Sequence, residues 1–128
     1  MKIENIKLTN FRNYKTQEIN LIPGINLFVG DNANGKTNII ESVYVSSFGK
    51  SYRTTKDVEL IKFGENYSRI EIIYNEKDVK NKIEYYIDEN NKKIIKQNDI
   101  KVSKLSEHVG KLLIVIFSPD SLDIVKGA

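Results

Sequence analysis

Cysteine is absent from the 128-residue chain, which removes several classes of chemistry at once. Without cysteine there is no disulfide framework, no thiolate metal site and no cysteine nucleophile. Long apolar runs are also missing, since the longest, KLLIVIF at 111–117, is strand-length and falls short of the roughly 18 residues of a membrane span. The opening segment, MKIENIKLTN, lacks the hydrophobic core that a signal peptide needs. We therefore expect a cytoplasmic protein with no membrane contact.

A strong charge bias is missing as well, because 20 basic residues stand against 17 acidic ones and the net charge is only +3. Dedicated DNA-binding modules usually show a stronger or more clustered basic bias. On charge alone, a well-solvated surface is the simpler interpretation. The length corresponds to about one domain, which is too short for a complete large ATPase.

Hydrophobic patterning predicts an α/β layer in the first half of the chain. A strand, a turn at Arg12–Asn13 and a second strand are expected to form an edge hairpin. INLFV at 25–29 is typical of a strand buried on both faces. Apolar residues spaced four apart then predict a helix over 36–48, which Gly49 ends. A polar loop and a short helix over 58–63 follow.

The segment from 66 to 100 has a different pattern, with short alternating stretches separated by asparagine-rich and charged turns. This pattern predicts an antiparallel meander. After it come a predicted short helix, a second buried strand at 112–117 and a final helix that Ser118 caps. We divide the chain accordingly into a P-loop α/β part, about 1–65 and 101–128, and an antiparallel β part, about 66–100.

The stretch GDNANGKT, residues 30–37, has the spacing of a phosphate-cradling loop, G-x-x-x-x-G-K-[ST]. Gly30 and Gly35 let the backbone curl so that successive N–H groups point inward. The N-terminus of the following helix adds partial positive charge. Lys36 is expected to bridge the β- and γ-phosphates, and the Thr37 hydroxyl to bind Mg²⁺. The motif therefore predicts ATP and Mg²⁺ as ligands.

The variable positions of this motif resemble the phosphate loop of the SMC and RecF group within the ABC-type ATPases. These positions are Asp31-Asn32-Ala33-Asn34, between the two glycines, and Asn38 directly after the motif. Three further stretches resemble the RecF family, in the same order along the chain. They are LTNFRNY at 8–14, SYRTTKD at 51–57 and IFSPDSLDIVKG at 116–127. The resemblance covers essentially the whole chain and is weakest in the meander.

Membership of the RecF family would imply an ABC-type or SMC-type ATPase head without a long coiled coil. It implies ATP-dependent homodimerisation, with two ATP molecules sandwiched between subunits. It also implies binding to double-stranded DNA and to duplex/single-strand junctions. The family works with RecO and RecR to load RecA at gapped DNA, and it hydrolyses ATP slowly.

The resemblance also assigns roles to residues outside the loop. In the family, the turn that carries Arg12 and Asn13 lies beside the nucleotide, so the planar fork of Arg12 is a candidate phosphate ligand. Arg53 matches an arginine that links ATP engagement to DNA in related heads. The family's Mg²⁺-contacting glutamine has no clear counterpart. The nucleotide-binding candidates are Gly30, Asp31, Asn32, Ala33, Asn34, Gly35, Lys36, Thr37, Asn38, Arg12 and Asn13.

The chain departs from the family because it stops before the family's signature motif, Walker B acidic residues and catalytic carboxylate. The nearest acidic pair, Asp88–Glu89, falls in the meander and is predicted to be a hairpin turn. We therefore expect the N-terminal half of an ATPase head, a partial domain from a longer protein. Such a piece has no catalytic residues of its own and should not turn over ATP.

Two alternatives stay open at this point. A complete small P-loop NTPase or kinase would need an acceptor site and an arginine-rich lid, but the arginines are few and widely spaced. A binding module could instead use the loop to hold its fold without nucleotide. The single histidine, His108, and the tyrosines of the meander, Tyr74, Tyr85 and Tyr86, are expected to be structural.

Overall fold

The computed structural model describes residues 2–20 and 33–103. Within these ranges the first elements are β1 (Lys2–Phe11), β2 (Tyr14–Asn20), α1 (Ala33–Phe48) and a short 3₁₀ helix (Asp57–Leu60). Four further strands follow: β3 (Tyr67–Glu76), β4 (Val79–Asp88), β5 (Lys93–Gln97) and β6 (Ile100–Lys101). No helix in the described ranges is long and apolar enough to cross a membrane.

The six strands of the described residues form one antiparallel sheet in the order β2-β1-β3-β4-β5-β6. The predicted edge hairpin is confirmed, and so is the predicted meander. β1 joins the two, because Ile6 lies opposite Ile19 on one side and Ile72 on the other. Patterning along the chain did not predict this connection.

One face of the sheet packs under α1, and strand alternation explains which side chains reach it. Successive side chains of a strand point to opposite faces. Every second residue is buried over 68–74 in β3 and over 83–87 in β4, and α1 packs against both strands. The buried apolar side chains of these strands are Ile70, Ile72, Tyr74, Ile83, Tyr85 and Ile87. The tyrosines at 74 and 85 are therefore core residues, which agrees with their predicted structural role.

Helix α1 begins at Ala33, earlier than the predicted start at 36, and ends at Phe48 as predicted. The predicted start followed the apolar spacing, which becomes helical only after Gly35. The helix nevertheless includes Gly35, since a glycine in the first turn does not end a helix. Gly49 has a φ of 75° and donates its N–H to the Val45 carbonyl at 2.7 Å. This left-handed glycine terminates the helix.

The predicted short helix over 58–63 is wrong in its second half. The 3₁₀ helix ends at Leu60, and Ile61 forms an antiparallel bridge with Phe11. Lys62 donates its N–H to the Asn10 carbonyl at 2.7 Å. Pairing with the end of β1 satisfies these backbone groups, so the segment is extended where local sequence suggested a helix.

The turn predicted at Asp88–Glu89 is confirmed. Asp88 is the last residue of β4, and its Oδ1 accepts the N–H groups of Asn90 and Lys92, both at 2.9 Å. These bonds are typical of an aspartate that stabilises a turn. Other predicted elements, the strand at 25–29 and every element after 103, including His108, lie outside the described residues.

Candidate functional site

The second half of the predicted phosphate loop forms the first turn of α1. Gly30, Asp31 and Asn32 lie outside the described residues, and the helix begins at Ala33. The first N–H groups of a helix have no partner within it, and the helix dipole places partial positive charge there. The first turn of α1 contains no acidic residue. This end of the helix therefore suits an anion.

At the centre of the site is Glu41, a residue that the sequence analysis did not single out. It lies on α1 four residues after Thr37, and its side chain is 0% exposed. Arg12 donates to it through Nε, at 2.8 Å to Oε1, and through Nη2, at 2.7 Å to Oε2. A bidentate arginine–carboxylate pair is among the strongest polar contacts in proteins. It ties the β1–β2 turn to the middle of α1.

Arg12 reaches Glu41 from a backbone with a φ of 54°. Its N–H donates to the Leu60 carbonyl at 2.8 Å, which anchors this left-handed conformation. Two of the nitrogens of its fork are engaged by Glu41, while Nη1 lies 3.4 Å from the carbonyl oxygen of Glu59. The edge that could bind a phosphate is thus directed at a carboxylate, and a phosphate contact by Arg12 stays a prediction.

Asn38 connects the two other predicted side chains. Its Nδ2 donates to Asn13 Oδ1 at 3.0 Å, and its Oδ1 accepts from Arg53 Nη1 at 2.8 Å. The same Arg53 nitrogen lies 3.2 Å from Glu41 Oε1. The structure therefore brings Arg12, Asn13, Asn38 and Arg53 together around one carboxylate. They come from three segments that are far apart in sequence.

Ser51 shapes the loop that presents Arg53. Its hydroxyl donates to Glu41 Oε2 at 2.6 Å and accepts the Arg53 N–H at 2.9 Å. Serine hydroxyls commonly stabilise turns through such bonds to nearby backbone. The loop after α1 is thereby fixed to the helix at the level of Glu41.

The electrostatics of the cluster favour an ionised Glu41. Burial raises the pKa of Glu41, but hydrogen bonds from Arg12 and Ser51 and the charges of Arg12 and Arg53 outweigh it, so the pKa lies below its ordinary value. The hydrogen bond to Glu41 raises the pKa of Arg12. One carboxylate thus lies against two guanidinium groups, and the cluster keeps one excess positive charge.

The sequence held one signal that could have identified Glu41. It is the only charged residue between Thr37 and Gly49, in a stretch of apolar and small residues. Residues four apart lie on the same face of a helix, so its side chain shares a face with Thr37. Spacing along the chain could not show that Arg12 and Arg53 converge on it.

Within residues 2–20 and 33–103, no group of three or more His, Cys, Asp or Glu side chains could hold a metal ion. The residues that fit a phosphate are the first-turn backbone of α1, Thr37 and Arg53. A Mg²⁺ ion usually keeps several waters and binds through substrate phosphates with few protein ligands, which suits a site with Thr37 as the protein ligand.

Comparison with known proteins gives a consistent result. A family model described as "AAA domain" matches residues 5–123. The chain is 44% identical over 126 residues to the DNA replication and repair protein RecF of Clostridium botulinum strain Eklund 17B. It is 47% identical over 126 residues to RecF of Clostridium botulinum strain ATCC 19397. Each match covers 98% of this chain and 35% of the relative, so the chain spans about a third of the relatives' length.

Solved structures agree with the sequence comparison. The recombination mediator RecF with ATP, from the RecFOR pathway, matches with a TM-score of 0.78 and 37% identity, over 95% of this chain and 34% of that one. An SMC ATPase matches with a TM-score of 0.75 and 24% identity, over 98% of this chain and 86% of that one. The second likeness shows the fold alone. The predicted resemblance to RecF and the predicted ATPase-head fold are both confirmed.

Proposed function

Because the chain belongs to the AAA domain family, we propose that it binds ATP and forms the ATP-binding part of a RecF-like protein of DNA replication and repair. The observation that carries this proposal is the convergence of Arg12, Asn13, Asn38 and Arg53 beside the phosphate-loop helix. The likeness to RecF solved with ATP supports it.

The loop over 30–37 would hold the phosphates through its backbone N–H groups and the positive end of α1. Lys36 would contact the β- and γ-phosphates, and Thr37 would bind Mg²⁺. When bound, Mg²⁺ would neutralise phosphate charge. Arg53, whose side chain is 36% exposed, would provide a cation next to the terminal phosphate. Arg12 and Asn13 would form the wall of the site on the β1–β2 turn.

We extend the proposal to the longer protein whose relatives this chain matches. Such a protein would bind double-stranded DNA and duplex/single-strand junctions, and would act with RecR and RecO to load the recombinase. It would dimerise on ATP, hydrolyse ATP slowly and work in the cytoplasm. Within the chain, we propose that about 1–65 and 101–128 form the P-loop part and about 66–100 the β part. The relatives' description as DNA replication and repair proteins supports this extension.

The experiment is a direct measurement of ATP·Mg²⁺ binding by isothermal titration calorimetry. We compare the protein with its Lys36→Ala variant and with Lys50→Ala as a matched control, since Lys50 is an exposed lysine just after α1. Loss of a charge-assisted phosphate contact should weaken binding by about tenfold or more. Lys50→Ala should bind as the unchanged protein does. Equal affinities for all three proteins, or no binding by any, would refute the proposal.

A further inference from the structure

The Glu41 carboxylate receives four hydrogen bonds. Oε1 accepts from Arg12 Nε at 2.8 Å and from Arg53 Nη1 at 3.2 Å. Oε2 accepts from Arg12 Nη2 at 2.7 Å and from Ser51 Oγ at 2.6 Å. Two carboxylate oxygens offer about four acceptor positions, so the group is saturated although its side chain is 0% exposed.

The two arginines hold Glu41 unequally. Arg12 makes two short bonds, and its side chain is 20% exposed. Arg53 makes one longer bond through Nη1, which it also gives to Asn38, and its side chain is 36% exposed. Bidentate pairs are stronger than single contacts, and exposed ion pairs contribute little. Arg12 is therefore the stronger partner of Glu41, and Arg53 is the weaker and more exposed one.

The charge of Arg53 is not needed to neutralise Glu41. An unpaired carboxylate at this depth would be strongly unfavourable, but Arg12 alone balances its charge. The cluster therefore carries one more positive charge than Glu41 needs. Nη1 of Arg53 holds this charge beside the turn of α1 that contains Thr37 and Asn38.

The bidentate pair with Arg12 contributes to the fold, because it ties the β1–β2 turn to α1. The bond to Arg53 contributes less to stability, because the Arg53 side chain is more exposed. Its effect is to hold Arg53 beside the first turns of α1.

We propose that Glu41 is a positioning residue that holds the Arg53 guanidinium by Nη1 beside the Thr37–Asn38 turn, so that its other side-chain nitrogens contact the terminal phosphate of a bound nucleoside triphosphate. This inference rests on the proposed ATP binding and adds a residue to it. A diphosphate lacks the terminal group, so Arg53 in this position has no phosphate to contact. Glu41 thereby contributes to the preference for ATP over ADP through Arg53, without touching the nucleotide.

The test measures dissociation constants for ATP·Mg²⁺ and ADP·Mg²⁺ and takes their ratio as the readout. The variants are Glu41→Gln, Arg53→Gln and the double variant, with Glu84→Gln as a control, since Glu84 pairs with Lys82 on β4 at 3.0 Å. A glutamine has one acceptor oxygen, which Arg12 would take, so Arg53 would lose its anchor. Circular dichroism melts confirm that each variant is folded at the temperature used.

Arg53→Gln should lower the preference for ATP by about tenfold, the size of one charge-assisted bond. Glu41→Gln should lower it at least about threefold, because an unanchored arginine must be ordered on binding. The double variant should match Arg53→Gln, since Glu41 acts only through Arg53. Glu84→Gln should leave the preference unchanged.

A purely structural Glu41 would weaken ATP and ADP binding equally, and an unchanged preference in Glu41→Gln would overturn the inference while leaving ATP binding intact. A higher preference would overturn it too. Failure of the unchanged protein to bind ATP would instead refute the proposed function and this inference together.

If Glu41→Gln does not fold, nuclear magnetic resonance of the arginine side chains in the unchanged protein decides the question. ATP·Mg²⁺ should shift the Arg53 guanidinium signals and leave those of Arg12 in place, and ADP·Mg²⁺ should move neither. Equal shifts with both nucleotides, or no shift of Arg53 with ATP, would overturn the inference.

Discussion

Arg12 in the β1–β2 turn and Glu41 in the middle of α1 form a buried bidentate pair, with Nε 2.8 Å from Oε1 and Nη2 2.7 Å from Oε2. The pair connects the edge hairpin to α1, whose first turn contains the second half of the predicted phosphate loop. Each oxygen of the carboxylate also accepts one further bond, Oε2 from Ser51 and Oε1 from Arg53. The stability of the fold and the presentation of Arg53 therefore depend on the same carboxylate.

The first prediction compares the two arginines as anchors of Glu41. Arg12→Lys removes the planar fork and leaves a buried carboxylate oxygen short of a donor, so it should lower the free energy of unfolding by about 2 kcal/mol. Arg53→Lys removes a more exposed contact and should cost less than about 1 kcal/mol. Urea denaturation measures both. Equal losses would show that the two arginines hold Glu41 equally.

The second prediction concerns the stability of the fold at low pH. Glu41 has a folded-state pKa below its ordinary value, which is about 4.3 for glutamate in an unfolded chain. The unfolded chain then takes up the proton more readily, so stability from Glu41 is fully present above about pH 4.3 and is lost as pH falls through the lower folded-state pKa.

Urea denaturation between pH 7 and 3 checks this by comparing the protein with Glu41→Gln. The difference in unfolding free energy between them should be constant near neutral pH and shrink below about pH 4.3. A difference that stays constant down to pH 3 would contradict a lowered pKa. Glu84→Gln serves as the control variant.

The third prediction uses two buried tyrosines on the same face of the sheet. The Tyr85 hydroxyl is buried without a hydrogen-bond partner among the described residues, and burial, together with the charge of Asp57, raises its pKa, so it stays neutral. The Tyr74 hydroxyl accepts from Gln97 Nε2 at 2.7 Å. Tyr85→Phe should therefore leave stability unchanged or raise it by up to about 1 kcal/mol, whereas Tyr74→Phe should cost about 1 kcal/mol. Thermal unfolding compares the two variants. A greater loss of stability in Tyr85→Phe than in Tyr74→Phe would contradict this prediction.

The fourth prediction concerns metal removal. If Thr37 and the phosphates share a Mg²⁺ ion, chelation with EDTA should weaken ATP binding, because the ion no longer neutralises phosphate charge. The Thr37→Val variant should bind ATP more weakly than the unchanged protein when Mg²⁺ is present. EDTA should then lower the ATP affinity of this variant less than it lowers that of the unchanged protein. Calorimetric titrations with and without EDTA measure both effects. An affinity for ATP that does not depend on Mg²⁺ would exclude this role for Thr37.

The parts of the fold that local pattern determines were predictable from the sequence. Period-2 alternation identified the hairpin and the meander, and apolar spacing identified α1 and its end at Gly49. The pairing of β1 with β3 was not predictable in this way, because it joins segments more than fifty residues apart. Pairing with β1 also explains why Ile61 is extended although the local sequence suggested a helix.

The candidate site shows the same limit. The phosphate-loop motif and the resemblance to RecF identified Arg12, Asn13, Asn38 and Arg53 one by one. Their common partner was missed, because Glu41 has no motif of its own. A buried charge becomes recognisable only when the residues that neutralise it are located, and here they come from a turn before the helix and a loop after it.

Nucleotide binding by the phosphate loop is tested most directly by a backbone amide nuclear magnetic resonance titration with ATP·Mg²⁺. We expect saturable shifts concentrated in residues 30–38 and at Arg53, with the amides of β4 and β5 unmoved. Saturable shifts confined to the meander, or no shifts at millimolar ATP, would contradict nucleotide binding by the phosphate loop.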